Sequence, residues 1–237
     1  MNLLVVVPSY NMTEQCYKNV LSLQAQLPEA KIVVVNNNSK DTSFLDKLPE
    51  SITVEENIYP RTYEAGALLH AFNKYDFENY FLVQDSIEMY DCFEIIDYTN
   101  KDYEFVLALN LFCPASHMMN INHKEFLKAN FKSISHLLYM QAGIATNSFI
   151  AKKHHIQKIV DAGVFVESNL PKHKLASECW ERVFGLSFYK NKIKLKCLKT
   201  SYDRNMMSGG INHLAQHHIE HVLKLGQKFH KYVLARS

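Results

Sequence analysis

The residue types best placed for chemistry lie in Tyr80–Tyr90, which reads Tyr-Phe-Leu-Val-Gln-Asp-Ser-Ile-Glu-Met-Tyr. Asp85, Ser86 and Glu88 supply two carboxylates and a hydroxyl in quick succession. Oxygen groups of this kind suit a hard divalent cation or a polar substrate. Two further polar clusters each follow a short apolar run in the same way: Ser9-Tyr10-Asn11, and Asn36-Asn37-Asn38-Ser39-Lys40-Asp41-Thr42.

Strands must position all three. The run into Gln84 has the pattern of a strand buried on both faces. Leu3–Val7, stopped by Pro8, and Lys31–Val35 read likewise, and Ser51–Glu55 is a third strand. Between them, Cys16, Val20, Leu23 and Leu27 recur at helical spacing after a cap at Thr13, and Pro28 closes the segment. Tyr63–Asn73 is helical, with Ala65, Leu68 and Phe72 on one face. Strand alternating with helix predicts an α/β fold, a mostly parallel, Rossmann-like sheet flanked by helices. Parallel strands send their carboxyl ends to one edge, where open α/β sheets bind ligands. The Pro8–Asn11 turn, the Asn36–Ser39 turn and Asp85 are therefore expected side by side.

Past Tyr90 the periodicity predicts a strand at Phe105–Leu109, a polar-aromatic loop at Leu111–Ile121, and helices at His123–Asn130 and Ile134–Met140. Ile144–Ile150 reads as a strand, Lys152–Ala162 as a helix closed by Gly163, and Lys174–Leu186 as a helix. His154-His155 marks the exposed side of its helix. Ile193–Leu198 alternates with lysines, as an edge strand does. Ser201–Gly210 is a loop, and Asn212–Leu234 a final amphipathic helix. His213, His217 and His221 recur every fourth residue, but they share a stripe with Lys224 and Lys228 and read as a solvated face.

The bulk properties exclude several classes. With 237 residues and no evident linker, 1–237 reads as a single domain. A formal charge of +2 supplies no field for nucleic acid. Cys16, Cys92, Cys113, Cys179 and Cys197 are scattered without a CxxC pair, which supports neither a zinc knuckle nor a disulfide framework and points to a reducing, cytoplasmic setting. The opening residues lack a basic leader, and no run has the length of a transmembrane segment. The basic tail from Lys224 to Arg236 is a solubilising face that allows at most weak peripheral membrane contact.

Taken together, Val5-Val6-Val7-Pro8-Ser9-Tyr10-Asn11, Val33–Thr42 and Phe81-Leu82-Val83-Gln84-Asp85-Ser86 resemble the GT-A-fold, nucleotide-sugar-dependent glycosyltransferases of the large family-2 type. They match that family's V-x-P-x-Y-N opening, its V-D-x-x-S-x-D-x-[ST] turn and its D-x-D-type metal motif. Glu64-Ala65-Gly66-Ala67 falls where the family has a small-residue helix facing the diphosphate. The resemblance implies transfer of a sugar from a UDP- or other nucleoside-diphosphate donor to a hydroxyl of a glycan or other acceptor, by inversion, with Mn2+ or Mg2+ as cofactor. Residues 1–90 would form the nucleotide-sugar half and 91–237 the acceptor half. Pro8, Ser9, Tyr10 and Asn11 would border the base, Asn36, Asn38 and Ser39 the nucleoside, and Arg61 and Gly66 the phosphates. Gln84, Asp85 and Ser86 would form the metal corner, with Asp85 the ligand and His213 a late second ligand.

The chain also departs from the pattern. Positions 36 and 37 are both asparagine where the family has an aspartate, a change worth ~1 kcal/mol if one neutral hydrogen bond is exchanged. The third metal position is Ile87, leaving Ser86 or Glu88 to contribute. Ser177-Glu178-Cys179-Trp180-Glu181-Arg182 resembles the family's E-D-x-x-x-R segment, with cysteine in the aspartate's place. It implies Glu178 as catalytic base, Glu181 as the second choice, and Trp180 as a platform for a sugar ring. Two alternatives stand beside this reading: a sugar nucleotidyltransferase, disfavoured because Pro8–Thr13 has no glycine, and a nucleotide- or sugar-binding module without catalysis.

Overall fold

Successive residues of the first strand face opposite sides of a sheet. Leu4 and Val6 join one apolar core, while Leu3, Val5 and Val7 join another, and all are fully buried. Each such side chain contributes roughly 1.5–3 kcal/mol on burial. A continuous apolar run is thus a strand covered on both faces. The structure is a computed structural model that describes residues 1–109, 111–112, 121–139, 143–198 and 229–231.

Along the chain come β1 (Leu3–Ser9), α1 (Glu14–Gln26), β2 (Lys31–Asn36), β3 (Ile52–Glu56), α2 (Tyr63–Lys74), β4 (Asn79–Leu82) and β5 (Ile87–Met89). There follow α3 (Phe93–Asn100), β6 (Phe105–Ala108), β7 (Leu111–Phe112), α4 (Ile121–Asn130), α5 (Lys132–Ser135) and β8 (Gly143–Ile144). The described part ends with β9 (Phe149–Lys152), α6 (Lys153–Asp161), α7 (Lys174–Lys190), β10 (Lys194–Cys197) and β11 (Phe229–Lys231). Seven strands pair in the order β10-β6-β9-β4-β1-β2-β3. β9 is antiparallel to β4 and β6, and the other neighbours are parallel. α1 and α3 pack on one face, and α2 and α4 through α7 on the other. The expected α/β fold, a mostly parallel sheet flanked by helices, is the one observed. Among the described residues β10 lies at the edge of the sheet, in keeping with its alternating lysines.

Several boundaries differ from the sequence reading, each for a local reason. β1 runs through Pro8 to Ser9. Ser9 turns its carbonyl to β2, where Asn37 N–H donates to it at 2.8 Å. Pro8 therefore turns its nitrogen to the β4 side, beyond Leu82 where that strand has ended, and breaks no ladder bond. The expected strand Ile144–Ile150 is split into β8 and β9 by a turn in which Thr146 and Asn147 take φ of 61° and 53°. Helix was expected at Phe229–Lys231, but these residues pair antiparallel with Ile87–Met89. Pairing across the chain overrides the local periodicity there. His154 is exposed as expected, whereas His155 is 1% exposed. His213, His217, His221, Cys113 and the Ser201–Gly210 loop lie outside the described residues.

Candidate functional site

β1 has β2 on one side and β4 on the other, so the chain reverses its direction of travel across the sheet between β1 and β4. Such a switch point opens a crevice at the carboxyl ends of the strands. Here Ser9 Oγ donates to Asp85 Oδ2 at 2.8 Å, and both residues are 1% exposed. Asn19, buried on α1, donates its amide to the Asp85 carbonyl at 2.9 Å and holds the turn from behind.

The second corner is joined to the first. Asn11 N–H donates to Ser39 Oγ at 2.8 Å, and Asn11 Oδ1 accepts from Lys40 N–H at 2.8 Å and Asp41 N–H at 3.3 Å. Asn11 (φ 48°) and Asn38 (φ 64°) sit in the left-handed region that asparagine tolerates. The three predicted corners therefore meet at one edge. Within them, Pro8, Ser9, Asn11 and Asn36 are buried, while Asn38 is exposed and Tyr10 and Ser39 are half-buried. Asn38, Tyr10 and Ser39 are the groups presented outward.

The asparagines at 36 and 37 have structural partners. Asn36 Oδ1 accepts from Ser39 N–H at 3.0 Å, and its amide donates to Glu56 Oε1 at 2.8 Å. An aspartate here would set a carboxylate against Glu56. Asn37 accepts from Asn57 at 2.6 Å and donates to the Tyr63 carbonyl at 3.2 Å, stitching the corner to α2.

Gly66 lies in the first turns of α2, and a Cβ on it would meet Thr62 Oγ1 at 1.6 Å. Its small size serves the close approach of Thr62. Arg61 (φ 61°) is exposed and lines a cleft of about 800 Å³ with Tyr59, Thr62, Glu167 and Lys172.

Glu64 is the residue the sequence reading undervalued. One of its oxygens accepts from Gln84 Nε2, and the other from Ser177 Oγ at 3.4 Å. It ties the Asp85 turn to the first turns of α7, where Glu178 follows. Nothing in the spacing of Glu64 signals this, because its partners lie 20 and 113 residues away. Asn19 was legible: a polar residue on the apolar stripe of α1 needs a buried partner.

On α7 the two predicted carboxylates part company. Glu178 Oε2 meets His123 Nε2 at 3.0 Å, Lys174 approaches at 3.9 Å, and the side chain is 41% exposed. Glu181 accepts from Thr146 N–H at 2.8 Å and from Arg182 at 3.3 Å, fastening the left-handed turn before β9. Arg182 donates to the Glu178 carbonyl at 3.0 Å. Trp180 is no platform: it is 1% exposed, packed edge-on against Phe131, Phe165 and Phe184. Cys179 is fully buried, and burial pushes its thiol up to about 12, so it stays a neutral thiol and cannot replace an aspartate as base.

The oxygen groups at the switch point, the Asp85 carboxylate with the Ser9 hydroxyl on it and Ser86 next in the chain, fit magnesium or manganese. Those ions take oxygen ligands and leave positions for phosphate and water. Ile87 is buried in the core on the α1 side and offers nothing, and Glu88 lies on the opposite face of β5.

No protein-family model and no curated protein matches the sequence. Solved structures match its fold. A structure of S. aureus TarS 1-349 in complex with UDP has a TM-score of 0.52 at 16% identity, covering 84% of this chain and 59% of that one. Glucosyl-3-phosphoglycerate synthase from M. tuberculosis, in complex with Mn2+, UDP and phosphoglyceric acid, has a TM-score of 0.47 at 11% identity, covering 66% and 57%. Both are GT-A-type glycosyltransferases. The likeness to TarS shows that the chain has the GT-A fold, and the chain spans 59% of the length of that fragment. Among the described residues, no helix is long and apolar enough to cross a membrane.

Proposed function

We propose that the chain is a glycosyltransferase that moves a sugar from a nucleoside diphosphate to an acceptor hydroxyl with inversion. The observation carrying this reading is the Ser9–Asp85 contact at the switch point, with the Asn11–Ser39 contact beside it. Tyr10, Asn38 and Ser39 border the nucleoside, and Arg61, on the neighbouring loop, reaches a phosphate. Asp85, with Ser86 beside it, holds Mn2+ or Mg2+, which when bound supplies positive charge against the diphosphate.

Glu178 is the base in this reading. It accepts the proton of the acceptor hydroxyl as that oxygen bonds to the anomeric carbon. The bond from that carbon to the diphosphate oxygen breaks, and its electron pair leaves with the diphosphate. His123 orients the Glu178 carboxylate, and Glu64 keeps the start of α7 in register with the Asp85 turn. General-base help of this kind contributes about 10²–10⁴ in rate.

The test is a panel of nucleoside diphosphates and their sugars, read by thermal shift with and without Mn2+ and then by donor hydrolysis. One nucleotide should stabilise the protein more with metal than without, and its sugar should turn over. Absence of any nucleotide binding overturns the proposal. Binding without turnover, acceptors supplied, favours a non-catalytic binding module.

A further inference from the structure

A second cluster of ligand-type side chains lies far from this crevice. Glu104 immediately precedes β6, and His154 and His155 open α6 just after β9. Because β9 runs antiparallel to β4, its end at Lys152 pairs with Asn79, where β4 begins. Lys153 N–H accordingly donates to the Glu78 carbonyl at 2.8 Å. The cluster therefore sits at the amino edge of the parallel strands, across the sheet from Asp85.

Ligand atoms of Glu104, His154 and His155 all lie within 4.8 Å of one another. Glu104 Oε2 is 3.7 Å from His154 Nε2 and 3.8 Å from His155 Nε2. Those separations exceed a hydrogen bond. They suit atoms sharing an ion: two ligands about 2.1 Å from one metal and about 125° apart stand about 3.7 Å from each other. His155 gives the independent sign of a missing partner. It is 1% exposed, and neither ring nitrogen has a hydrogen-bond partner. Buried polar atoms are rarely left so, since each orphan costs desolvation without return.

We propose that Glu104, His154 and His155 bind a divalent transition metal of the zinc class, at the sheet edge opposite the nucleotide crevice. Two imidazoles and one carboxylate select zinc or cobalt over magnesium and manganese, which prefer oxygen alone. The ion pins the start of α6 to the entry of β6 and leaves a fourth position to water.

The experiment titrates the full chain with Co2+ and Zn2+, reading visible cobalt absorption and metal content after gel filtration. Glu104→Gln and His154→Asn alter exposed side chains, so the fold is retained in both, and circular dichroism verifies it. One ion per chain with a four-coordinate cobalt spectrum is expected in the parent protein and in Asp85→Asn. Affinity should fall more than about tenfold in Glu104→Gln and His154→Asn, the least that loss of even an outer partner costs a metal site. Failure to retain stoichiometric metal, equal retention by both variants, or loss of the spectrum in Asp85→Asn would each overturn the assignment. Because the cobalt spectrum is independent of sugar transfer, it can fail without touching the proposed activity.

Discussion

Replacing Asp85 by asparagine separates its structural work from its proposed chemical work. The side chain is 1% exposed and accepts from Ser9 Oγ at 2.8 Å. Asparagine keeps the shape and an acceptor oxygen, so the hydroxyl retains a partner. A bond to a charged acceptor contributes about 1.5–3 kcal/mol and a neutral one about 0.5–1.5, so exchanging the Ser9 bond should cost the fold about 1 kcal/mol. Metal affinity has no such substitute, because the amide brings no charge to the ion. Ionic stabilisation in such sites amounts to several kcal/mol. A loss of about 2.7 kcal/mol corresponds to about a hundredfold. Calorimetric titration of the cognate nucleoside diphosphate, with and without Mn2+, reads the effect beside a urea denaturation curve. The metal-dependent gain in affinity should fall about a hundredfold or more while the denaturation midpoint barely moves. A variant that keeps that gain within threefold, with its fold intact, would refute the role given to Asp85.

Glu178→Gln should bind donor as the parent does but lose transfer by about 10²–10⁴ in kcat, and a fully active variant removes it as base. Gly66→Ala places a Cβ 1.6 Å from Thr62 Oγ1 and should cost about 1–3 kcal/mol in chemical denaturation. Thr62→Ala should restore only part of that loss, since Thr62 Cβ would still stand 2.5 Å away. Glu55 tests acid behaviour: burial pushes its carboxyl up, but hydrogen bonds from Lys74, Tyr75 and His70 outweigh this and bring it from 4.5 to about 2. A lowered folded value means the stabilisation is fully present above about pH 4.5 and is lost as pH falls toward 2. Glu55→Gln should therefore cost up to about 3 kcal/mol at neutral pH, and the difference from the parent should shrink over that window in urea titrations. Curves that stay parallel through it would count against the reading.

The carboxyl edge was legible because two-sided burial writes itself into the sequence as uninterrupted apolar runs. Leu3–Val7, Lys31–Val35 and the run into Gln84 have no other stable use, and parallel pairing then fixes where their ends go. Pro8 misled the boundary only because the neighbour it would have bonded stops first. The second half was harder to read for a different reason. Its organising contacts, Glu64 with Ser177, Glu181 with Thr146, and β5 with β11, join residues far apart in the chain and leave no period behind. His155 shows the same limit. Two adjacent histidines on a helix look alike in sequence, and only the packing decides that one is exposed and the other buried.

The same logic separates Glu178 from Glu181, which a helical wheel treats as near equals. A base must keep an oxygen open to the acceptor, whereas a carboxylate that fastens a turn must not. Glu181 spends one oxygen on the Thr146 N–H and the other on Arg182, a guanidinium that is 4% exposed. Moving it would remove contacts from a buried arginine and a left-handed turn together, so its carboxylate serves the fold. Glu178 is more exposed, and its partners are the buried His123 and the exposed Lys174. Between them, Cys179 is buried beneath the helix as an inert thiol. Of the two carboxylates, Glu178 is the one that keeps more of its side chain exposed, 41% against 22%. Glu64 holds it in register with the crevice from the other side.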